Sequence, residues 1–195
     1  MDKDQERVLE FFSKALVSLP FDVKVLLEAV ADPDLETPVR ELAAAAVVHV
    51  LTPKDGNVEA FLRHAEDVIL VRLALKRVAA EGGEGAGAFK ERFEENYGRL
   101  DEELSTLEGL FGREVVEWLD TKWPALCKGV FARKKISQFV DDEEVGTFLY
   151  EEGLRFATDY PITEKTLAGR VKQTQPIVDH LLRKHEQDSK KITHP

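Results

Sequence analysis

Cysteine occurs once, at Cys127, so the chain has no internal disulfide and no second thiol with which to share a metal. Long apolar runs are missing too. The most apolar windows are Leu42 to Leu51, interrupted by His49, and Val68 to Leu75, interrupted by Arg72. Each is far short of the roughly 20 residues that span a bilayer. Positive charge is in deficit: 37 acidic against 27 basic side chains give a formal charge of −10. That balance argues against nucleic acid, because attraction to phosphate needs an excess of cations on at least one face. The start from Met1 to Arg7 is charged and acidic, unlike a secretory leader, and points to a cytoplasmic protein.

With 43% hydrophobic and 33% charged residues, the chain is too apolar for a disordered segment and too polar for a membrane bundle. Its 195 residues suffice for one ordinary domain or two small ones. No segment shows sustained two-residue alternation, and no fixed-period repeat of the solenoid kind occurs.

Helical periodicity, in contrast, runs along almost the whole sequence. Val8, Phe12, Ala15, Leu16 and Leu19 share one stripe of a first helix, which is expected to stop near Pro20. Pro20 then opens a second helix with Val23, Leu26, Leu27 and Val30 inward. Thr37-Pro38 starts a third, reaching Leu51, and Asn57 caps a fourth that extends to about Ala80. The run Gly82 to Gly87 reads as a flexible linker and the best internal boundary.

Past that boundary, Phe93, Tyr97, Leu100, Leu104, Leu107 and Phe111 alternate steps of four and three, the spacing of a heptad seam. A seam this short is expected to pack inside its own chain, with a homodimer through Phe93, Tyr97, Leu100, Leu104 and Leu107 as the alternative. Further helices are expected around Val115 to Leu119, from Ala125 to about Ile136, and after the acids Asp141 to Glu144, where the positive end of a helix dipole favours them. Pro161 ends that helix, Thr163 caps the next, and a last helix carries Leu181 and Leu182.

Candidate chemistry is sparse. The glycine run follows no strand and carries no Gly-Lys-Ser or Gly-Lys-Thr element, so it is no phosphate loop and no cofactor is implied. His180 and His185 are five apart, about 140° around a helix, and do not share a face. His64 and Asp67 are three apart and do, with Glu66 between them, which makes them the candidate metal ligands; the di-iron Glu-x-x-His element is lacking. His49, among alanines and valines, reads as a core-edge histidine with a hydrogen-bond partner. Cys127 follows Pro124-Ala125-Leu126, where burial makes a thiol inert.

Charge segregation says more. Between Lys122 and Gln138 lie Lys122, Lys128, Arg133, Lys134 and Lys135 and no acid, while Asp141 to Glu144 follow directly. A basic helix among acidic ones relieves repulsion within the molecule, and it also forms a candidate docking face for an acidic partner protein or, more weakly, for an anionic membrane surface.

One stretch resembles a known family. Thr52-Pro53-Lys54-Asp55, followed by Glu66-Asp67 opening the apolar run Val68-Ile69-Leu70, is similar to a degenerate YkvA-like domain, a small helical family of unknown function. There a Ser-Pro-x-Asp turn precedes a second turn with proline and acid, then an acidic pair on a hydrophobic helix. The second turn is replaced here by Gly56-Asn57-Val58-Glu59. The resemblance, confined to Leu42 to Leu75, implies a helical unit, marks Asp55, Glu66 and Asp67, and supplies no activity.

The expected protein is all-α, a bundle of about eight helices in two halves, 1–80 and 88–188, packed on each other, with a frayed tail at 189–195. The expected role is non-enzymatic, a protein-interaction or regulatory function on the segregated charge. The alternative is a metal-binding or hydrolytic site on His64, Glu66 and Asp67, with Asp55 on the adjoining turn.

Overall fold

The computed structural model describes residues 3–53, 64–167, 179 and 181–188. Helix α1 spans Lys3–Ala31, with Pro20 inside it rather than at a break. A mid-helix proline loses one backbone hydrogen bond and crowds the carbonyl four residues earlier, at a cost of about 3 kcal/mol. Phe12, Ala15, Leu16, Leu19, Val23, Leu26, Leu27 and Val30 keep one unbroken helical phase through it, and all are buried. At roughly 2 kcal/mol for each large apolar side chain removed from water, that continuous face outweighs the proline.

The reverse turn after Ala31 leads to α2, Thr37–Leu51, with Pro38 in its first turn as expected. Helix α3 spans Ala65–Glu81; the start expected at Asn57, and Asp55 before it, lie outside the described residues. Helices α1, α2 and α3 pack on one another.

Gly82 to Gly87 is no slack linker. A single 3-10 turn, Gly83–Gly85, runs straight into α4, Ala86–Arg92. This corner is wedged against the α1–α2 turn: the Glu36 N–H donates to the Gly82 carbonyl at 3.2 Å. A methyl group on Gly85 would sit 2.3 Å from the Asp34 carbonyl oxygen, so glycine there answers to close backbone approach.

The heptad seam is likewise not one helix. Phe93, at φ −117° and ψ 39°, separates α4 from α5, Glu94–Tyr97, and a further break at Gly98 and Arg99 precedes α6, Leu100–Phe111. Tyr97, Leu100, Leu104, Leu107 and Phe111 are nevertheless all buried in the chain's own apolar cluster, and Phe93 is packed against it half-buried. The large apolar side chains of the seam thus lie within the molecule's own core, with Phe93 at its margin.

Next come α7, Arg113–Asp120, and α8, Trp123–Leu126. The helix expected to run on to Ile136 stops there, and a β-hairpin takes its place: β1, Val130–Phe131, pairs antiparallel with β2, Lys134–Lys135. Two-residue strands are too short for alternation to be visible in a sequence. Helix α9, Gln138–Asp141, is followed by α10, Glu143–Asp159, whose N-cap Asp142 accepts hydrogen bonds from the backbone of Glu144 and Val145 at 3.0 and 3.1 Å. Helix α11, Glu164–Leu167, starts after Thr163, whose hydroxyl accepts from the Thr166 N–H, and residues 181–188 are helical.

The molecule is all-α apart from the hairpin. Helix α10 packs across α1, and α6 and α7 pack on α3, so residues from both sides of the glycine corner enter one apolar cluster. Among the described residues no helix is long and apolar enough to cross a membrane.

Candidate functional site

The hairpin carries three of the five basic residues on its strands and tip. Its register pairs Val130 with Lys135 and Phe131 with Lys134, leaving Ala132 and Arg133 as the two-residue turn. Both turn residues have positive φ, 48° at Ala132 and 65° at Arg133. A two-residue hairpin favours left-handed backbone at both turn positions because that matches strand twist, and Asn-Gly or Gly-Gly is the usual occupant. Here two side-chain-bearing residues hold it, at roughly 1 kcal/mol each.

Packing at its base holds the turn in place. The Phe131 ring stands 6.3 Å from that of Phe148 on α10, and Ile136 and Phe139 just beyond are buried. The Ile136 N–H donates to the Gly129 carbonyl at 3.3 Å, and the Lys135 N–H, facing away from the ladder, donates to Gln138 Oε1 at 2.8 Å. Gln138 thereby blunts the β2 edge. Arg133 in the turn and Lys135 on β2 are exposed, Lys134 is half-buried, Val130 is 61% exposed, and Lys128, just before β1 at the base, is exposed as well.

Lys122 does not belong to this surface. Its ammonium lies 2.8 Å from Glu66 Oε1 and 4.0 Å from the centre of the Trp118 ring. Lys184, from the last described helix, is paired with the other oxygen of the same carboxylate. Burial raises the Glu66 pKa, but the two lysines outweigh it and hold the carboxyl at about 2. Glu66 is thus a bolt between α3, the start of α8 and the terminal helix, and it is unavailable as a general base.

Asp67 gathers what the sequence pairs in part. It is fully buried, with His64 Nδ1 2.8 Å from its Oδ2 and His49 Nε2 3.3 Å from its Oδ1. His49 therefore sits at the core edge opposite a carboxylate, but its buried Nε2 makes no hydrogen bond among the described residues, so the hydrogen-bond partner expected from the sequence is not found there. The His64 ring packs 5.4 Å from that of Tyr160 and 6.1 Å from that of Phe156. The Tyr160 hydroxyl is buried with no hydrogen-bond partner, and its pKa is pushed up by burial and then by Asp67, with Arg72 opposing. Among the described residues no group of three or more histidine, cysteine, aspartate or glutamate side chains is arranged to hold a metal ion.

A second buried polar cluster lies deeper. Arg72 is fully buried on α3; its Nε donates to Glu103 Oε2 at 2.8 Å, its Nη1 to the Val68 carbonyl at 3.2 Å, and its Nη2 to Ser18 Oγ at 3.0 Å. Nη2 also lies 3.3 Å from Asp22 Oδ2. Asp22, equally buried, accepts from Ser18 at 2.9 Å, Asn96 at 2.8 Å and Arg99 at 2.5 Å. Most of its polar atoms are paired, as a buried polar network requires, the exception being Arg99 Nε, which is buried without a hydrogen bond among the described residues and 3.7 Å from Glu103 Oε1. It joins α1, α3 and α6 and reads as architecture.

Cys127 is half-buried, and its thiol is pushed up first by burial and then by Glu41, so it is the inert thiol expected from its neighbours. His185 meets the Trp118 ring edge-on at 5.4 Å, while His180 lies outside the described residues. No protein-family model matches the chain, and comparison with curated proteins and with solved structures finds no match.

Proposed function

We propose that this is a non-enzymatic interaction or regulatory protein of the bacterial cytoplasm that engages an acidic partner protein through the β1–β2 hairpin. The observation that carries the reading is the turn itself. Ala132 and Arg133 occupy left-handed backbone where glycine would be easier, and the effect is to place Arg133 at the exposed tip, directly before Lys134 and Lys135 of β2, on a protein with net charge −10. Strained backbone at an exposed, charged tip is a mark of a functional surface. Exposed Val130 adds an apolar contact at the centre of the charge, the composition of a small docking patch with a polar rim.

The test is charge reversal at the hairpin, Arg133→Glu, Lys134→Glu and Lys135→Glu together. Partners recovered by pull-down from native extract and identified by mass spectrometry should be lost, with helicity and melting temperature unchanged. Recovery in the wild type should weaken as salt is raised from low to physiological ionic strength, where the screening length falls to about 8 Å. Partners that persist on the reversed protein would exclude the hairpin as the docking face, and salt-sensitive sedimentation with anionic vesicles in place of a protein partner would redirect the reading to a membrane surface. Lys122 is left out of the variant because it holds Glu66.

A metal-assisted or hydrolytic site on His64, Glu66 and Asp67 has one observation in its favour, the Asp67 carboxylate between two imidazoles. Against it, Glu66 is held by two lysines, and a structural or catalytic zinc takes three or four protein ligands. Elemental analysis of the purified protein should find no stoichiometric metal. Bound metal that disappears in the His64→Ala and Asp67→Asn variants would establish the site instead.

A further inference from the structure

A groove of about 540 Å³ runs between the middle of α1 and the segment that ends α10 and leads into α11. Its volume falls within the roughly 300–1,000 Å³ typical of small-molecule sites. Val17, Pro20 and Phe21 form one wall and Ile162 contributes to the other. Phe21 is 62% exposed, the most exposed large apolar side chain among the described residues.

The polar lining is of one sign. Lys24 and Lys165 stand at the groove, and among the described residues neither makes an ion pair. Lys24 instead lies 5.7 Å over the Phe21 ring, which places a cation beside the apolar wall. Among the described residues no acidic side chain lines the groove, although acids outnumber bases by ten in the whole chain. Tyr160 lines it as well, with its hydroxyl buried away from solvent.

We propose that this groove binds an amphipathic carboxylate of the fatty-acid class, its apolar chain against Val17, Pro20, Phe21 and Ile162 and its carboxylate between Lys24 and Lys165. A cationic ligand mismatches the lysine rim, and a purely polar one mismatches the apolar wall. A second groove, lined by Arg7, Lys14 and Arg99 together with Glu10, Glu102 and Glu103, has no such preference, because its lining carries both signs, with Lys14 paired to Glu10 and Arg99 facing Glu103.

Calorimetric titration of the full chain with dodecanoate, below its micelle concentration, tests the site. Saturable one-to-one binding is expected, with dodecyltrimethylammonium, which carries the same chain and the opposite charge, binding at least about tenfold more weakly. The double variant Lys24→Gln, Lys165→Gln should lose about tenfold in affinity, and Phe21→Ser, at an exposed position, should lose a similar factor while circular dichroism stays unchanged. Absence of saturable binding, equal binding of the cationic probe, or a Lys24→Gln, Lys165→Gln variant with wild-type affinity would each overturn the assignment.

Discussion

Replacing Arg72 with methionine should lower the unfolding free energy by about 3–5 kcal/mol, the largest effect expected of any single substitution at a buried charge in this protein. The side chain volume is nearly kept, so the loss is electrostatic. Arg72 is the fully buried cation of the two that face both Glu103 and Asp22, and Asp22 is as buried as Arg72 itself. Removing the guanidinium leaves Asp22 with Arg99, which is partly exposed, and leaves Glu103 facing Arg99 at 3.7 Å. A buried carboxylate deprived of its main partner must either stay charged at high cost or take up a proton. Neutralising the acids in the same molecule, with Asp22→Asn and Glu103→Gln added to Arg72→Met, should therefore recover part of the loss. Urea denaturation of the single and triple variants measures both numbers. A cost below about 1 kcal/mol for Arg72→Met would mean that solvent reaches the network and that burial is not what makes it expensive.

Glu66→Gln should show a smaller cost with a particular dependence on pH. The Glu66 carboxyl is lowered from 4.5 to about 2, because Lys122 and Lys184 favour the charged form by more than burial disfavours it. At 1.36 kcal/mol for each unit, the shift is worth about 3 kcal/mol. A depressed carboxyl contributes its stability above the unfolded value and loses it as pH falls to the folded one. The contribution is thus complete at neutral pH, begins to fade below about 4.5, and is gone once pH passes about 2. Glutamine stands in for the protonated acid. The stability gap between wild type and Glu66→Gln should be about 3 kcal/mol near pH 7 and should close over that acidic window, as measured by denaturation at fixed ionic strength. A gap that does not change with pH would show that the amide is lost to packing rather than to charge.

Much of the fold is readable from apolar spacing. The start of α10, the helix of Val115 to Leu119 and the stop at Pro161 follow from periodicity and capping, which are local; α2 starts with Thr37 inside the helix rather than as its cap, Glu36 preceding it with no side-chain cap, so its start follows from Pro38. Pro20 shows how a local rule fails: proline disfavours the helix interior, yet the apolar phase before and after it is continuous, and that continuity was the better guide. Gly82 to Gly87 fails for the opposite reason. Glycine signals freedom when nothing is near, but it also signals close approach, and only the position of Asp34 and Glu36 decides between them. The hairpin lay beyond reach because its strands are two residues long.

The sites divide along the same line. His64 and Asp67 fall together from their spacing on one turn, whereas His49 joins them only because α2 packs on α3. Proximity in the sequence groups Lys122 with its basic neighbours, and a long-range contact to Glu66 takes it away from them. A signal for the buried network was present: Arg72 occupies the inward stripe of α3 beside Val68, Ile69 and Leu75, and a cation there demands buried acids. Which acids, Asp22 and Glu103, is information that only the packing of α1 and α6 against α3 contains.

Lys184 gives the last described helix an attachment of a different kind from the rest of the molecule. It is held to Glu66 through a side chain that is 39% exposed, and by His185 against Trp118, while only Leu181 of that segment is fully buried. Trp118 touches both the Lys122 ammonium and the His185 ring, whereas Trp123, the second tryptophan, is buried with its indole N–H donating to Asp120. Fluorescence of Trp118 is consequently a built-in optical reporter of whether the terminal helix is seated, and Trp123 supplies an internal reference that the seating does not touch.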